Sequence, residues 1–509
     1  MPGNCVPLSR TLDKDEVELK GRRFCDSNEA PAAAVEDMDP NWVDVVDDFS
    51  GVGGRKFLYE CQELPMLNGV DRDTEGQPPS SSQTPDEVRD AKSRRRRNVF
   101  SRISNAIIPH GGLLSGAVNL ACVTLGAGIM SIPSAFNTSG IIMAVFYLVI
   151  ITSLTVFSIT LLSKAMEKTG IYSFEGLARA LFGHGGDIVA ALLMWILCFG
   201  ASVGFVIAIG DILKPIFAHP RVPPFLQEKN GRRCVMGGVW LLFMLPLVLP
   251  KRINSLRYMS AVGLFFIVLF VICAIYHSIA YGLKDGIRKD LVFVRPGNEA
   301  VSGLSIFCFS YLCQVNVGRI IVENTKRTTR MITLQAILSC SICATLYFLT
   351  GFFGYADFGP SLNGNILGRY DPYQSPVFFV VFPGIIVKLC ASFSLDMLAC
   401  RTALFQVMRW DVETMPYWKH TLVSVPIAIG ALILGLFVPD INIVFGLGGA
   451  FSGGFIGFVF PPLFIMYAGS WTLKKVGIWY YLGTYFLLIC GVISIVFGTI
   501  SIYYYSFFV

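Results

Sequence analysis

The residues of greatest chemical interest stand where a helix through hydrocarbon tolerates them least. The run KLCASFSLD places Lys388, Ser392 and Asp396 at i, i+4 and i+8, along one drifting side of a helix, with Ser394 close by. A charge at the bilayer centre costs ~3 kcal/mol on insertion scales, so each ionisable group should face the protein interior and find a partner there. Lys388 can supply a fixed positive charge. Asp396 can exchange a proton or hold an ammonium group. The plainer alternative is that Lys388 snorkels outward and Asp396 pairs with Arg401 near the inner face.

Two other apolar runs cannot stay regular helices. In NLACVTLGAGIMSIPSAF, residues 119–136, Gly126, Ala127 and Gly128 leave the backbone uncovered and Pro133 removes a donor shortly after. Unwound backbone at bilayer depth survives only when buried in protein or lining a cavity. The half-helix downstream of such a break points free N–H groups and a positive dipole end at that cavity, which suits a carboxylate. A close-packed face of small residues is the competing explanation. In SIFCFSYLCQVNVGRIIVE, residues 305–323, Ser310, Gln314 and Asn316 sit mid-run among aromatics and should face partners or water. The two interrupted runs are the first and the sixth. That spacing predicts a five-plus-five inverted repeat with discontinuous helices one and six.

The elements that must carry these residues follow from composition. Of 509 residues 53% are hydrophobic and only 15% charged, with mean hydropathy +0.59. A soluble chain carries about a quarter charged residues, so a cytosolic enzyme is a poor fit. Residues 1–105 hold 20 of 35 acidic and 15 of 41 basic residues. They read as a disordered cytoplasmic tail, with a GQPPSSSQTPDE linker, and the remainder, 106–509, as a membrane body. No apolar region opens the chain, so the first span should serve as the targeting element. GVGG at 51–54 lacks the strand and helix of a nucleotide loop, and the basic run at 92–97 fits an anchor that holds the N-terminus inside.

Apolar runs long enough to cross ~30 Å of hydrocarbon recur eleven times: near 112–135, 139–163, 188–213, 235–250, 258–282, 301–322, 331–356, 376–408, 420–438, 441–468 and 477–506. Placing the N-terminus inside puts 20 basic residues on the cytoplasmic side against 10 opposite, which supports that orientation and leaves the C-terminus outside. The net charge of +6 therefore records topology, and no nucleic-acid partner is implied. Cys340 and Cys343 lie in the apolar LSCSICATL and read as packing residues. The five histidines have no ligand spacing, so neither metal nor cofactor is expected; His277 falls near a span end and reads as interfacial. Asp211 and Glu323 stand near helix ends as caps or loop locks, Glu323 also as an inner gate with Arg319 or Lys326. The sequon at Asn137 abuts two spans and should go unused.

These segments resemble a family. The first run, NLxxxxxGAGIMxIPxAF followed by Gly140, is similar to the first-helix signature of the amino acid/auxin permeases. FCFSYLCQVN with Glu323 after it resembles the sixth-helix pattern FxFxxHxxxxPxxxE, departing at the His and Pro positions. FVIAIGDIL at 205–213 resembles the third-helix ending, and residues 440–464 resemble the tenth helix. The resemblance covers about residues 105–509, and tail and loop lengths look most like kinetoplastid permeases. It implies an all-α integral membrane protein of about eleven transmembrane helices, an inverted-repeat core of the amino acid–polyamine–organocation type, and secondary active transport of amino acids by alternating access.

Carried over residue by residue, the resemblance implies that the backbone of Thr124, Leu125, Gly126, Ala127, Gly128 and Ile129 binds the substrate carboxylate. Carbonyls near Cys122 and around Phe307 to Ser310 take the α-ammonium group, and Phe309 and Tyr311 pack on the side chain or gate it. In sodium-driven relatives, hydroxyls of the eighth helix and carbonyls of the first bind the ion, a role open to Ser392 or Ser394. Lys388 nearby can replace that ion, and a co-transported proton is then the expected partner rather than sodium. Asp396 tips the expected substrate toward cationic amino acids such as arginine or lysine. Neutral amino acids or a polyamine remain alternatives, as does a transporter-like sensor that binds without net flux. The expected location is the plasma membrane, with an endolysosomal or vacuolar membrane as the alternative.

Overall fold

The structure, a computed structural model, describes residues 111–508 apart from Ala127, residues 251–255, Asp285, Ile287, Pro296, residues 411–415 and Ser470. The tail 1–105, including the GVGG segment and the basic run 92–97, lies outside the described residues, as does Ala127 of the first run. Every regular element among the described residues is helical.

The first run forms two helices, α1 (Leu113–Thr124) and α2 (Gly128–Ser139), bent by 63° at the break. Next come α3 (Ile141–Thr169), the short α4 (Phe174–Phe182) and α5 (His184–Phe217). They are followed by α6 (Lys229–Val248) and α7 (Leu256–His277), which continues in wider turns through Ser278–Gly282. The sixth run is again split, into α8 (Asn298–Ser310) and α9 (Val317–Glu323). The remaining helices are α10 (Thr329–Phe358), α11 (Phe378–Val407), α12 (Tyr417–Phe437), α13 (Ile441–Tyr467) and α14 (Ile478–Tyr504). Taking α8 and α9 as one span, ten spans among the described residues are long and apolar enough to cross a membrane, and the bent α1–α2 pair makes up to eleven. The expected all-α integral membrane architecture, with breaks in runs one and six, is therefore present.

The expected limits run close to the observed ones, with one addition. The loop after α3 carries α4, a helix that hydropathy alone did not single out because it is only 9 residues long. Its Phe174 and Phe182 pack on Phe460 and Phe464 of α13 with ring centroids 5.1–6.2 Å apart, which fixes the loop against the bundle. The glycines of α13 let backbones approach: a Cβ at Gly449 would collide with the Ser305 carbonyl and fall 2.7 Å from the Phe309 amide nitrogen.

Both ends of the first run are tied down. At its N-terminal end the Thr325 amide donates to the Gly111 carbonyl at 3.2 Å. Asn324 and Gln335 exchange reciprocal amide hydrogen bonds of 2.9 Å, and Gln335 also donates to the Gly112 carbonyl at 3.2 Å. At its C-terminal end Asn137 donates to the Leu362 carbonyl at 2.9 Å, while Ser134 accepts from the Gly364 amide and the Asn442 side chain. Gly140 turns the chain into α3 at φ +81, where a Cβ would lie 2.8 Å from the Phe293 carbonyl oxygen, so only glycine fits. The Asn137 side chain, within the sequon, is buried in these bonds.

Candidate functional site

Helix α1 ends at Thr124, with Leu125 as its C-cap and Gly126 just beyond. The Leu125 amide still bonds the Ala121 carbonyl, the Gly126 amide turns back to Thr124 at 2.8 Å, and regular helix resumes at Gly128. The last carbonyls of α1 have no helical partner as a result. Helix α8 ends likewise at Ser310, and a short tight turn, Gln314–Asn316, leads into α9.

The two breaks meet in space. A Cβ on Gly128 would fall 2.5 Å from Ser310 Oγ and 3.0 Å from Ser310 Cα, so the backbones of α2 and α8 lie against each other. Tyr347 of α10, wholly buried, places its hydroxyl 2.9 Å from the Thr124 carbonyl and 2.7 Å from the Ser310 carbonyl. One hydroxyl carries one proton, so it donates to one carbonyl at a time and leaves acceptor capacity at the other. Sequence reasoning missed Tyr347, whose run of α10 reads only as an apolar span. Its role comes from partners 37 and 223 residues away.

Lys388 points into the bundle rather than outward. It is 4% exposed, and its Nζ donates to the Cys122 carbonyl of α1 at 3.3 Å. The carbonyl expected to meet an α-ammonium group is thus occupied by the chain's own ammonium. Ser392, one turn along α11, is half-buried, while Ser394 Oγ bonds back to the Cys390 carbonyl at 3.0 Å. Asp396 is half-buried a further turn down. The expected alternative partner, Arg401, sends its two terminal nitrogens to the Val248 and Pro250 carbonyls, each at 2.9 Å, where they cap α6.

The aromatic residues of α8 are held by protein neighbours. Phe309 stacks on Phe445 of α13 at 4.3 Å between ring centroids, and Phe307 packs between Phe136 and Tyr147. The Tyr311 hydroxyl is 2.8 Å from Thr152 Oγ1 of α3, and its ring meets that of Tyr347 edge-on at 5.2 Å. Gln314 folds back so that its side-chain oxygen accepts from the Cys313 amide at 3.0 Å. Glu323, at the C-terminal end of α9, accepts from Asn119 of α1 and from Arg319, each at 3.4 Å.

Away from the breaks, Asp211 pairs with Lys214 at 2.5 Å beside a cavity of about 370 Å³ that Arg369 and Asp440 also line. His277 is not simply interfacial: its Nδ1 is 2.7 Å from Asp357 Oδ2, joining the ends of α7 and α10. Cys340 and Cys343 are wholly buried, as packing residues should be. Among the described residues no group of three or more His, Cys, Asp or Glu side chains could hold a metal ion.

Comparison with known proteins adds the family. A family model described as "Transmembrane amino acid transporter protein" matches residues 109–504. Vacuolar amino acid transporter 5 of Schizosaccharomyces pombe is 25% identical over 367 residues, 70% of this chain and 84% of that protein. Amino acid transporter AVT6C of Arabidopsis thaliana is 27% identical over 377 residues, covering 70% and 86%. Human solute carrier family 38 member 10 is 25% identical over 362 residues; these are 69% of this chain but only 32% of that protein, so the chain spans about a third of its length. Among solved structures, Mhp1, a nucleobase-cation-symport-1 family transporter in a closed conformation with bromovinylhydantoin bound, is 13% identical with a TM-score of 0.46, covering 77% of this chain and 90% of that one. With the family model spanning most of its length, the chain belongs to the transmembrane amino acid transporters of the amino acid/auxin permease family.

Proposed function

We propose that the chain carries amino acids across its membrane by alternating access, with the substrate bound at the paired breaks of α1–α2 and α8–α9. The observation that carries this reading is the convergence of the Thr124 and Ser310 carbonyls on the Tyr347 hydroxyl. Two helix ends there expose backbone acceptors, while the start of α2 offers free N–H groups beside them. A zwitterion is complementary to that pair: the α-carboxylate on the N–H groups of Gly128 and Ile129 at the start of α2, the α-ammonium on the carbonyls of Thr124 and Phe307 to Ser310. Tyr311 and Phe309, fixed by Thr152 and Phe445, form a wall rather than a swinging gate.

Lys388 stands on the Cys122 carbonyl as a fixed internal cation, a position that makes sodium unnecessary and leaves the proton as the coupling ion. Asp396, further down α11, favours cationic amino acids over neutral ones or polyamines. The ties at the two ends of the first run act as alternate latches, Glu323 with Asn119 inside and Asn137 with Leu362 outside. The names of the vacuolar relatives favour an organellar membrane over the plasma membrane for this chain.

The test is reconstitution into liposomes with a panel of labelled amino acids, imposing sodium and proton gradients separately. Accumulation of basic amino acids driven by a proton gradient alone is expected. Saturable binding with no flux under either gradient would overturn transport in favour of a sensor.

A further inference from the structure

A lysine can lie buried beside a broken helix only if the packing leaves a channel for its stem. Four methylenes and an ammonium must pass between α11 and its neighbours without being squeezed toward solvent. The structure supplies that channel on α7. At Gly263 a Cβ would collide with Cδ of Lys388 and fall 2.9 Å from both its Cβ and its Cγ. The lysine stem therefore occupies the volume that any other residue's side chain would take.

The register that brings them together has a second half. Three residues on along α7, Phe266 fills the space left by Gly384 of α11, where a Cβ would collide with the ring. Gly263 faces Lys388 and Phe266 faces Gly384, a small-against-large exchange repeated in opposite order on two antiparallel helices. A one-residue slip would set Val262 or Leu264 against the lysine, so the exchange fixes both register and the lysine's path.

We infer that Gly263 is the positioning residue for Lys388, steering its ammonium onto the Cys122 carbonyl; this rests on the reading of Lys388 as the fixed internal cation. Gly263 touches no substrate in that account. It acts through where it lets the lysine lie.

The test compares Gly263→Ala, Lys388→Ala and the double variant in proteoliposomes. Folding yield and melting temperature are measured first, then uptake with and without sodium, and finally acylation of Lys388 by a small amine-reactive anhydride, which releases its carboxylate on transfer, read by mass spectrometry. In wild type Lys388 should resist acylation. In Gly263→Ala it should become reactive, and uptake should fall about tenfold or more as the carbonyl loses its cation. Sodium should partly restore uptake in Gly263→Ala and Lys388→Ala but have no effect on wild type, a response that a purely packing role would not give. The double variant should fold and transport as Lys388→Ala does, because the clash has gone.

A protected Lys388 with wild-type uptake in Gly263→Ala would overturn the inference. So would a double variant that folds worse than Lys388→Ala, since the glycine would then serve something other than the lysine. If Gly263→Ala alone fails to fold, that same comparison of folding yields decides. Absence of transport by the wild type would sink the transport reading while the acylation result still reports on the lysine's position.

Discussion

Gly128 lies so close to Ser310 that a Cβ on the glycine would fall 2.5 Å from the serine hydroxyl, whereas a Cβ on Gly126 would meet nothing nearer than the Val123 carbonyl at 3.9 Å. Two glycines of one motif thus have different reasons to be glycine. Gly128→Ala should abolish uptake at normal surface expression, and Gly126→Ala should retain most of it. Radiolabelled uptake normalised to surface protein checks this; equal losses would mean that contact with Ser310 is not what matters.

Tyr347→Phe keeps the ring against Tyr311 and removes the hydroxyl that the Thr124 and Ser310 carbonyls share. A buried acceptor left without its donor costs about 1–3 kcal/mol. The variant should melt several degrees lower in detergent and bind substrate more weakly. An unchanged melting temperature would show that water replaces the hydroxyl.

Asp396→Asn preserves shape on α11 and deletes a charge that lies two turns, about 12 Å of helix rise, from Lys388. Uptake of arginine and lysine should drop while uptake of neutral amino acids holds. Parallel loss for both classes, measured by competition in the same vesicles, would remove the basis for a cationic preference.

Asp440 caps α13, its carboxylate accepting from the Asn442 amide at 2.9 Å. Burial pushes this carboxyl above the ordinary aspartate range, against the opposing pull of the Asn442 amide and of Lys214. A folded-state pKa above the unfolded one means that the native state holds the proton more tightly. Stability therefore rises as pH falls from the folded value toward the unfolded one, and is lost again as pH rises. Asp440→Asn keeps the cap without the charge, so it should melt higher than wild type at neutral pH and converge with it in acid. A constant difference across the pH scan would assign the effect to something other than this carboxyl.

Asn137 sits in a sequon, yet its amide is committed to the Pro360 and Leu362 carbonyls at 3.2 and 2.9 Å. Glycosidase treatment should leave the protein's gel mobility unchanged. Asn137→Ala should cost about 1–2 kcal/mol by freeing the loop between α10 and α11 from α2, seen as faster proteolysis of that loop.

Much of this was legible along the chain because it is local. A run of apolar residues must become a helix in hydrocarbon wherever its partners lie, so the spans emerge from hydropathy within a few residues of their observed ends. Glycine weakens a helix where it stands, so the break near Gly126 could be placed, and the polar side chains of Ser310, Gln314 and Asn316 in an apolar run marked the one after Ser310. The polar spacing in α11 likewise marked Lys388 before its partner was known. The short α4 escaped because an amphipathic helix of 9 residues leaves no long apolar run.

What the chain could not announce is which distant groups satisfy one another. The Cys122 carbonyl meets Lys388 across 266 positions, the Thr124 carbonyl meets Tyr347 across 223, and Asn119 meets Glu323 across 204. An unpaired carbonyl or ammonium at bilayer depth demands a partner, and sequence establishes the demand. Only the packing of helices decides who answers it, because that depends on register between surfaces, such as Gly263 against Lys388, which no single helix encodes.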